Sequence, residues 1–225
     1  VESALAKKAL PNPQDTTVDK KIYHALLEVQ KAFCGEYASE GYLAAFADAF
    51  HNEGSIKVQG DSGLYTGKKG TNSGQMHASG SLGLFGQDVY NRESNGKIVS
   101  EALAHLSTTQ FTNFDTGMIT AEEAINAYCV GVIDNFGVLD SHKEIKLLAN
   151  RIVKNHKEGK IIAKNDVNLL CDLLADNNGI ISGTHVIVEG IEEGAKNSGK
   201  IIGLEKIRLI SEKLAINQSE GELIA

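Results

Sequence analysis

Gly137-Val-Leu139-Asp-Ser141-His-Lys-Glu144-Ile145-Lys-Leu147-Leu-Ala-Asn-Arg-Ile-Val-Lys-Asn-His-Lys-Glu-Gly159-Lys-Ile161 spans one unit of a repeat that governs this chain of 225 residues. A glycine opens the unit, an apolar residue follows two places on, and the pair returns at its end. The pair also occurs at Gly54-Ser-Ile56, Gly74-Gln-Met76, Gly96-Lys-Ile98, Gly117-Met-Ile119, Gly179-Ile-Ile181 and Gly199-Lys-Ile201, and successive glycines are 20 to 22 residues apart. Ser141-His-Lys-Glu144 has the form of a helix capping box, in which the hydroxyl accepts an orphan amide and the glutamate reaches back. Thr120-Ala-Glu-Glu123 has the same form one unit earlier. The expectation is helical. Each glycine ends a helix in a left-handed turn, the apolar residue anchors the reversal, and the polar cap starts the next helix. Helices of about twelve residues are marginal alone, so packing has to hold them.

Working outward gives an all-α fold, nine or ten short helices in one compact domain over residues 1–225. Residues 1–15 form a tail. Residues 16–51 hold two helices, the first with Ile22, Leu26, Val29 and Phe33 at helical spacing. Residues 52–96 are so rich in glycine that helix propensity collapses, and they read as an irregular, Gly-rich loop segment. Residues 97–217 form the regular helix array, and 218–225 a second tail. In the array, Leu169, Leu170, Leu173 and Leu174 mark one helix face.

Composition bounds the function. The hydrophobic share is 42% and the net charge is −7, which suits a soluble protein and argues against a nucleic-acid partner. No apolar run reaches the ~18 residues of a membrane span. A homo-oligomer fits this surface as well as a monomer. The chain begins at Val1 rather than Met, so processing or trimming is expected, with a secreted or extracellular location; a cytoplasmic one stays open. Asn217-Gln-Ser219 is a glycosylation triplet. The cysteines are Cys34, Cys129 and Cys171, with no CxxC pair. Cys129 and Cys171 sit at matching places in their units, as small core residues or, alternatively, as a disulfide pair.

The repeat also invites a calcium reading, because an EF-hand loop carries Gly, Ile and Glu at its sixth, eighth and twelfth positions. Glu123 and Glu205 satisfy the last of these, but the earlier oxygen ligands are missing, as at Thr112, Phe114 and Thr116. A degenerate EF-hand-like calcium-binding protein therefore ranks as a second alternative. Gly63-Leu-Tyr-Thr-Gly67-Lys-Lys69 lacks the spacing and hydroxyl of a phosphate loop. His51 and His77 stand beside and within the Gly-rich segment, which makes them the histidines to watch.

Several stretches, in order, resemble the haem-thiolate peroxidases, the family of chloroperoxidase and the unspecific peroxygenases. They are Thr17-Val-Asp19 to Leu26-Leu27, Lys31-Ala-Phe33, Tyr42-Leu-Ala-Ala-Phe-Ala-Asp-Ala-Phe50, His77-Ala-Ser-Gly-Ser81-Leu82, Phe85-Gly86-Gln-Asp88 and Ile119-Thr-Ala-Glu-Glu-Ala124 through Asn135-Phe136. The resemblance implies a helical scaffold and a haem (heme) cofactor bound through a cysteine thiolate. The chain departs from the family at the decisive places. Pro11-Asn12-Pro13 stands where the ligand cysteine is flanked by prolines, and Met76, His77 and Ala78 replace the catalytic acids. The first expectation is therefore a non-enzymatic binding or assembly protein on a helical, peroxidase-like scaffold. The alternative is a divergent haem peroxidase or peroxygenase, with Cys34 and His51 as cofactor-binding residues and His77 as the catalytic residue. No metal site beyond the haem iron is expected.

Overall fold

The computed structural model describes residues 22–26 in backbone, and residues 36–92 and 96–225 in full. It contains no helix among them. The chain is a parallel β-solenoid of about 9 turns, each coil lying on the one before it. This overturns the all-α expectation, the helix array over 97–217 and the helical peroxidase-like scaffold. The coil around Gly137 shows the plan: strand Val138–Ser141, a corner, strand Glu144–Ala149, a corner, strand Ile152–Asn155, then a turn to Gly159. Three strands make three faces. We call them the short face, which follows each repeat glycine, the broad face, and the ladder face, which ends at an asparagine.

Neighbouring coils pair in parallel and in register on every face. On the short face Ser55–Val58, Gln75–Ala78, Lys97–Ser100, Met118–Ala121, Val138–Ser141 and Lys160–Ala163 succeed one another. Their pairings align Ile56, Met76, Ile98, Ile119, Leu139 and Ile161. These are the apolar residues of the repeat, and all are buried. Their anchoring role survives the change of fold. In the first half a single long strand bends through the broad and ladder faces, as in Ser62–Asn72 and Ala124–Asn135, with a register shift at the corner. The Gly-rich residues 52–96 are thus no loop segment. Where described, they are ordinary coils of the solenoid.

Strand alternation explains the burial. In Asp166–Cys171 the inward residues are Val167, Leu169 and Cys171, while Asn168 and Leu170 face out. The supposed helix face of Leu169, Leu170, Leu173 and Leu174 is split between sides and across a corner. The two capping boxes also sit at corners. The Ser141 hydroxyl donates to the Glu123 carbonyl of the previous coil at 3.1 Å and accepts from the Lys143 amide at 3.3 Å. A hydroxyl that satisfies local amides serves a β-corner as well as a helix start.

The glycines are needed for a different reason than a left-handed turn. Among the described glycines only Gly194 has positive φ, at 136°. At Gly137 a Cβ would lie 2.2 Å from the carbonyl oxygens of Gly117 and Phe114, and at Gly179 it would lie 2.2 Å from that of Gly159. Each turn lies on the turn before it, and the carbonyl below occupies the space of a side chain. Beside these turns runs a buried ladder of Asn52, Asn72, Asn91, Asn113, Asn135, Asn155, Asn177 and Asn197, which continues to Asn217. Each amide donates to the carboxamide oxygen of the next coil, as from Asn113 to Asn135 at 2.9 Å and from Asn177 to Asn197 at 2.7 Å. The dipoles all point one way, so the bonds polarise one another.

Candidate functional site

The residues singled out from sequence do not converge. His51 faces out from the ladder face, 3.4 Å from the Ser73 hydroxyl and 3.5 Å from Glu53. His77 faces out from the short face, 3.1 Å from Glu101 of the next coil. Cys34 lies outside the described residues. A haem needs an axial ligand and a pocket that covers the macrocycle. The two histidines stand on different outer faces, and the interior between them is filled by the aliphatic stacks. A pocket beside Gly70 and Phe50 holds only about 20 Å³. The described residues therefore do not fit a haem. The calcium reading fails as well. The repeat glycines close stacked β-turns, and among the described residues no three His, Cys, Asp or Glu side chains group to hold a metal.

Cys129 and Cys171 are both buried and free. They share one inward row, but Ala149 lies between them, so two rungs separate the sulfurs. Two rungs span about 9.5 Å, beyond the reach of a disulfide. Burial pushes both thiols up to about 11, and the Thr108 hydroxyl 2.9 Å from the Cys129 sulfur offsets this only in part. They are core residues rather than nucleophiles.

Two ring rows lie on the outside of the described coils: Tyr90, Phe114, Phe136 and His156 beside the ladder turns, with Arg92 over the first two, and a second row on the outer side of the broad face. Its pairing brings Phe46, Tyr65 and Phe85 into a row. The rings stack at 4.7 and 4.6 Å between centroids, with planes within 10°, and His105 continues the row at 5.7 Å. Phe46 remains 44% exposed, which is unusual for a ring that could have been core. Beneath the rings the strands carry Ala44, Gly63 and Gly83, aligned with one another. A Cβ on Gly83 would sit 2.5 Å from the Phe85 ring, so the ring lies over a position that only glycine leaves clear. The Tyr42 hydroxyl reaches the same place, 3.4 Å from that of a Cβ on Gly63, and burial followed by the neighbouring Tyr65 raises its pKa.

Farther along this face the ring row continues to Ser107, and to one side of it, nearer the corner, lies a groove of about 350 Å³, lined by Leu103, Ala124, Asn126, Glu144 and Asp166, with Glu123, Lys143 and Asn165 at its corner. Small Ala124 between larger neighbours makes the depression. Lys143 pairs with Glu123 at 3.0 Å, and Asp166 lies 2.7 Å from His185. Glu144 has no ion-pair partner among the described residues. The carboxamide oxygen of Asn126 is buried without a hydrogen-bond partner. An orphan acceptor of this kind is costly unless something donates to it. The aromatic row was invisible from sequence because its members are 19 and 20 residues apart, and only the coil length places them side by side.

No protein-family model matches this chain, and no curated protein or solved structure matches it.

Proposed function

We propose that this chain serves as a stiff molecular spacer, a solenoid rod that holds whatever lies at its two ends at a fixed separation and presents its three outer faces along the way. The single observation that supports this reading is the unbroken vertical register. Rung follows rung from Glu36–Ser39 to Glu222–Ile224 on the short face. The asparagine ladder runs beside it without a gap. At about 4.8 Å per rung the described stack is roughly 40 Å long. Solenoid coils contact only their neighbours, so stiffness comes from many equivalent interfaces rather than one central core.

The test is to change the length by a whole coil. Deleting residues 137–158 joins Phe136 to Gly159 and leaves Asn135 below Asn177, each in an equivalent position. The rod reading expects the variant to keep its β-type circular dichroism and its solution-scattering profile of a rod, with the longest dimension shortened by about 5 Å. Loss of the fold, or scattering from a flexible chain in either protein, would overturn it.

A further inference from the structure

We infer that the outer side of the broad face is a binding site for a neutral, hydroxyl-rich glycan chain lying along the rod. The aromatic row supplies the first part of the site. Rings whose centroids are 4.6–4.7 Å apart must slide sideways by about 3 Å to keep carbon contacts near 3.5 Å, so each leaves part of its face uncovered by its neighbour. The apolar C–H face of a sugar ring packs on such a surface. Aromatic side chains of this sort are ordinarily buried. Here three consecutive coils instead place them outside, on strands whose Ala44, Gly63 and Gly83 leave room for them.

The groove supplies the second part. His105 joins the two, because it continues the ring row and pairs on the sheet with Asn126. The groove offers the carboxylates of Glu144 and Asp166 and the amides of Asn126 and Asn165, which are the acceptors and donors that fix sugar hydroxyls. The unpartnered Asn126 oxygen is the acceptor a bound hydroxyl would satisfy. The spacing also fits, since a pyranose unit in an extended chain advances by close to one rung. Charge selects among glycans. Glu123, Glu144 and Asp166 outnumber Lys143 in the groove, and the chain carries −7 overall, so a sulfated or uronic-acid polymer is repelled.

Affinity electrophoresis in native gels tests this, with hydroxyethyl cellulose, xyloglucan, galactomannan and heparin each cast into a gel. The expected result is retardation by at least one of the three neutral polymers and none by heparin. Phe85→Ala, Asn126→Ala and Glu144→Gln should each weaken that retardation about tenfold, while Lys57→Ala on the short face leaves it unchanged. Circular dichroism checks that each variant folds, and the two groove substitutions keep the test valid if removing the ring disturbs the strand. Absence of retardation by all three neutral polymers overturns the inference. So does retardation by heparin, or binding that survives all three broad-face substitutions.

Discussion

Replacing Asn135 by alanine removes one rung of the buried ladder, and the cost follows from its bonds. The Asn135 amide donates to the Asn155 carboxamide oxygen at 2.9 Å, the Gly137 carbonyl at 3.1 Å and the Lys160 carbonyl at 3.3 Å. Its oxygen accepts from Asn113 at 2.9 Å. Some partners keep a second bond: the Gly137 carbonyl still accepts the Lys160 amide at 2.8 Å, and Asn113 still donates to Gly117 at 3.1 Å. The Asn155 oxygen is left buried with no donor, at about 1–3 kcal/mol. Two or three further bonds at about 1 kcal/mol each bring the loss to roughly 4 kcal/mol. Asn217→Ala supplies the contrast. Asn217 is exposed, its amide donates to Gly221 at 2.7 Å, and its oxygen accepts from Asn197, whose amide keeps bonds to the Gly199 and Glu222 carbonyls, so no buried group is orphaned and the cost is about 1 kcal/mol. Urea unfolding followed by circular dichroism measures both. Asn135→Asp adds a pH arm. Its carboxylate would face the Asn155 oxygen and two carbonyls, which raises its folded pKa above the usual carboxylate value. The folded state then holds a proton that the unfolded chain releases, so stability falls as pH rises from about 4 through the raised pKa. Asn135→Ala lacks that slope. Equal and small losses for Asn135→Ala and Asn217→Ala would refute the ladder as a source of stability.

Gly137→Ala places a methyl 2.2 Å from two carbonyl oxygens of the coil below and should cost about 2–3 kcal/mol, measured by the same unfolding assay. The thiols of Cys129 and Cys171 should resist an aromatic disulfide reagent in the folded protein and react fully in urea. With both raised to about 11 against an ordinary 9.0, stability should be intact below pH 9 and decline as pH climbs through 11, which alkaline unfolding curves would show. His185 bridges two coils, with Asp166 at 2.7 Å and Glu205 at 3.0 Å, and the Asp166 hydrogen bond chiefly raises its pKa. Its stabilising effect is present below the ordinary histidine pKa and is lost as pH rises through the raised one. The stability that the wild type holds over His185→Gln in urea unfolding should therefore shrink as pH rises past the ordinary histidine value, and a difference that stays constant with pH would refute the pairing.

Some of this was legible in the sequence. The Gly-x-apolar period marked the coil, and Ile119, Leu139 and Ile161 proved to be core. The secondary structure was misread because short apolar runs do not separate strand from helix. Leu169-Leu170 and Leu173-Leu174 look like a helical face, yet a corner at Asp172 resets the alternation between them. Serine at Ser141 satisfies a corner as it would a helix start, while Glu144 turns outward into the groove. The asparagines Asn113, Asn135, Asn155 and Asn177 share the glycine period, a signal of stacked coils that the helical reading passed over. A polar side chain recurring once per unit just before the glycine has a place inside a solenoid, where its copies bond one another. On a helix array it has none.

By itself the sequence determined the repeat length, the buried apolar anchor of each unit and the places where the chain must turn, because these depend on residues close together in the chain. The tertiary structure alone decided what the repeat builds and what it exposes. Gly137 is glycine because a carbonyl of the previous coil lies over it, and Asn135 is tolerated in the core because Asn113 and Asn155 satisfy it. Phe46, Tyr65 and Phe85 form one surface because three coils stack in register. Each of these facts belongs to a contact between residues about twenty apart, and the strength of such contacts is set only once the parallel pairing has fixed which coil faces which.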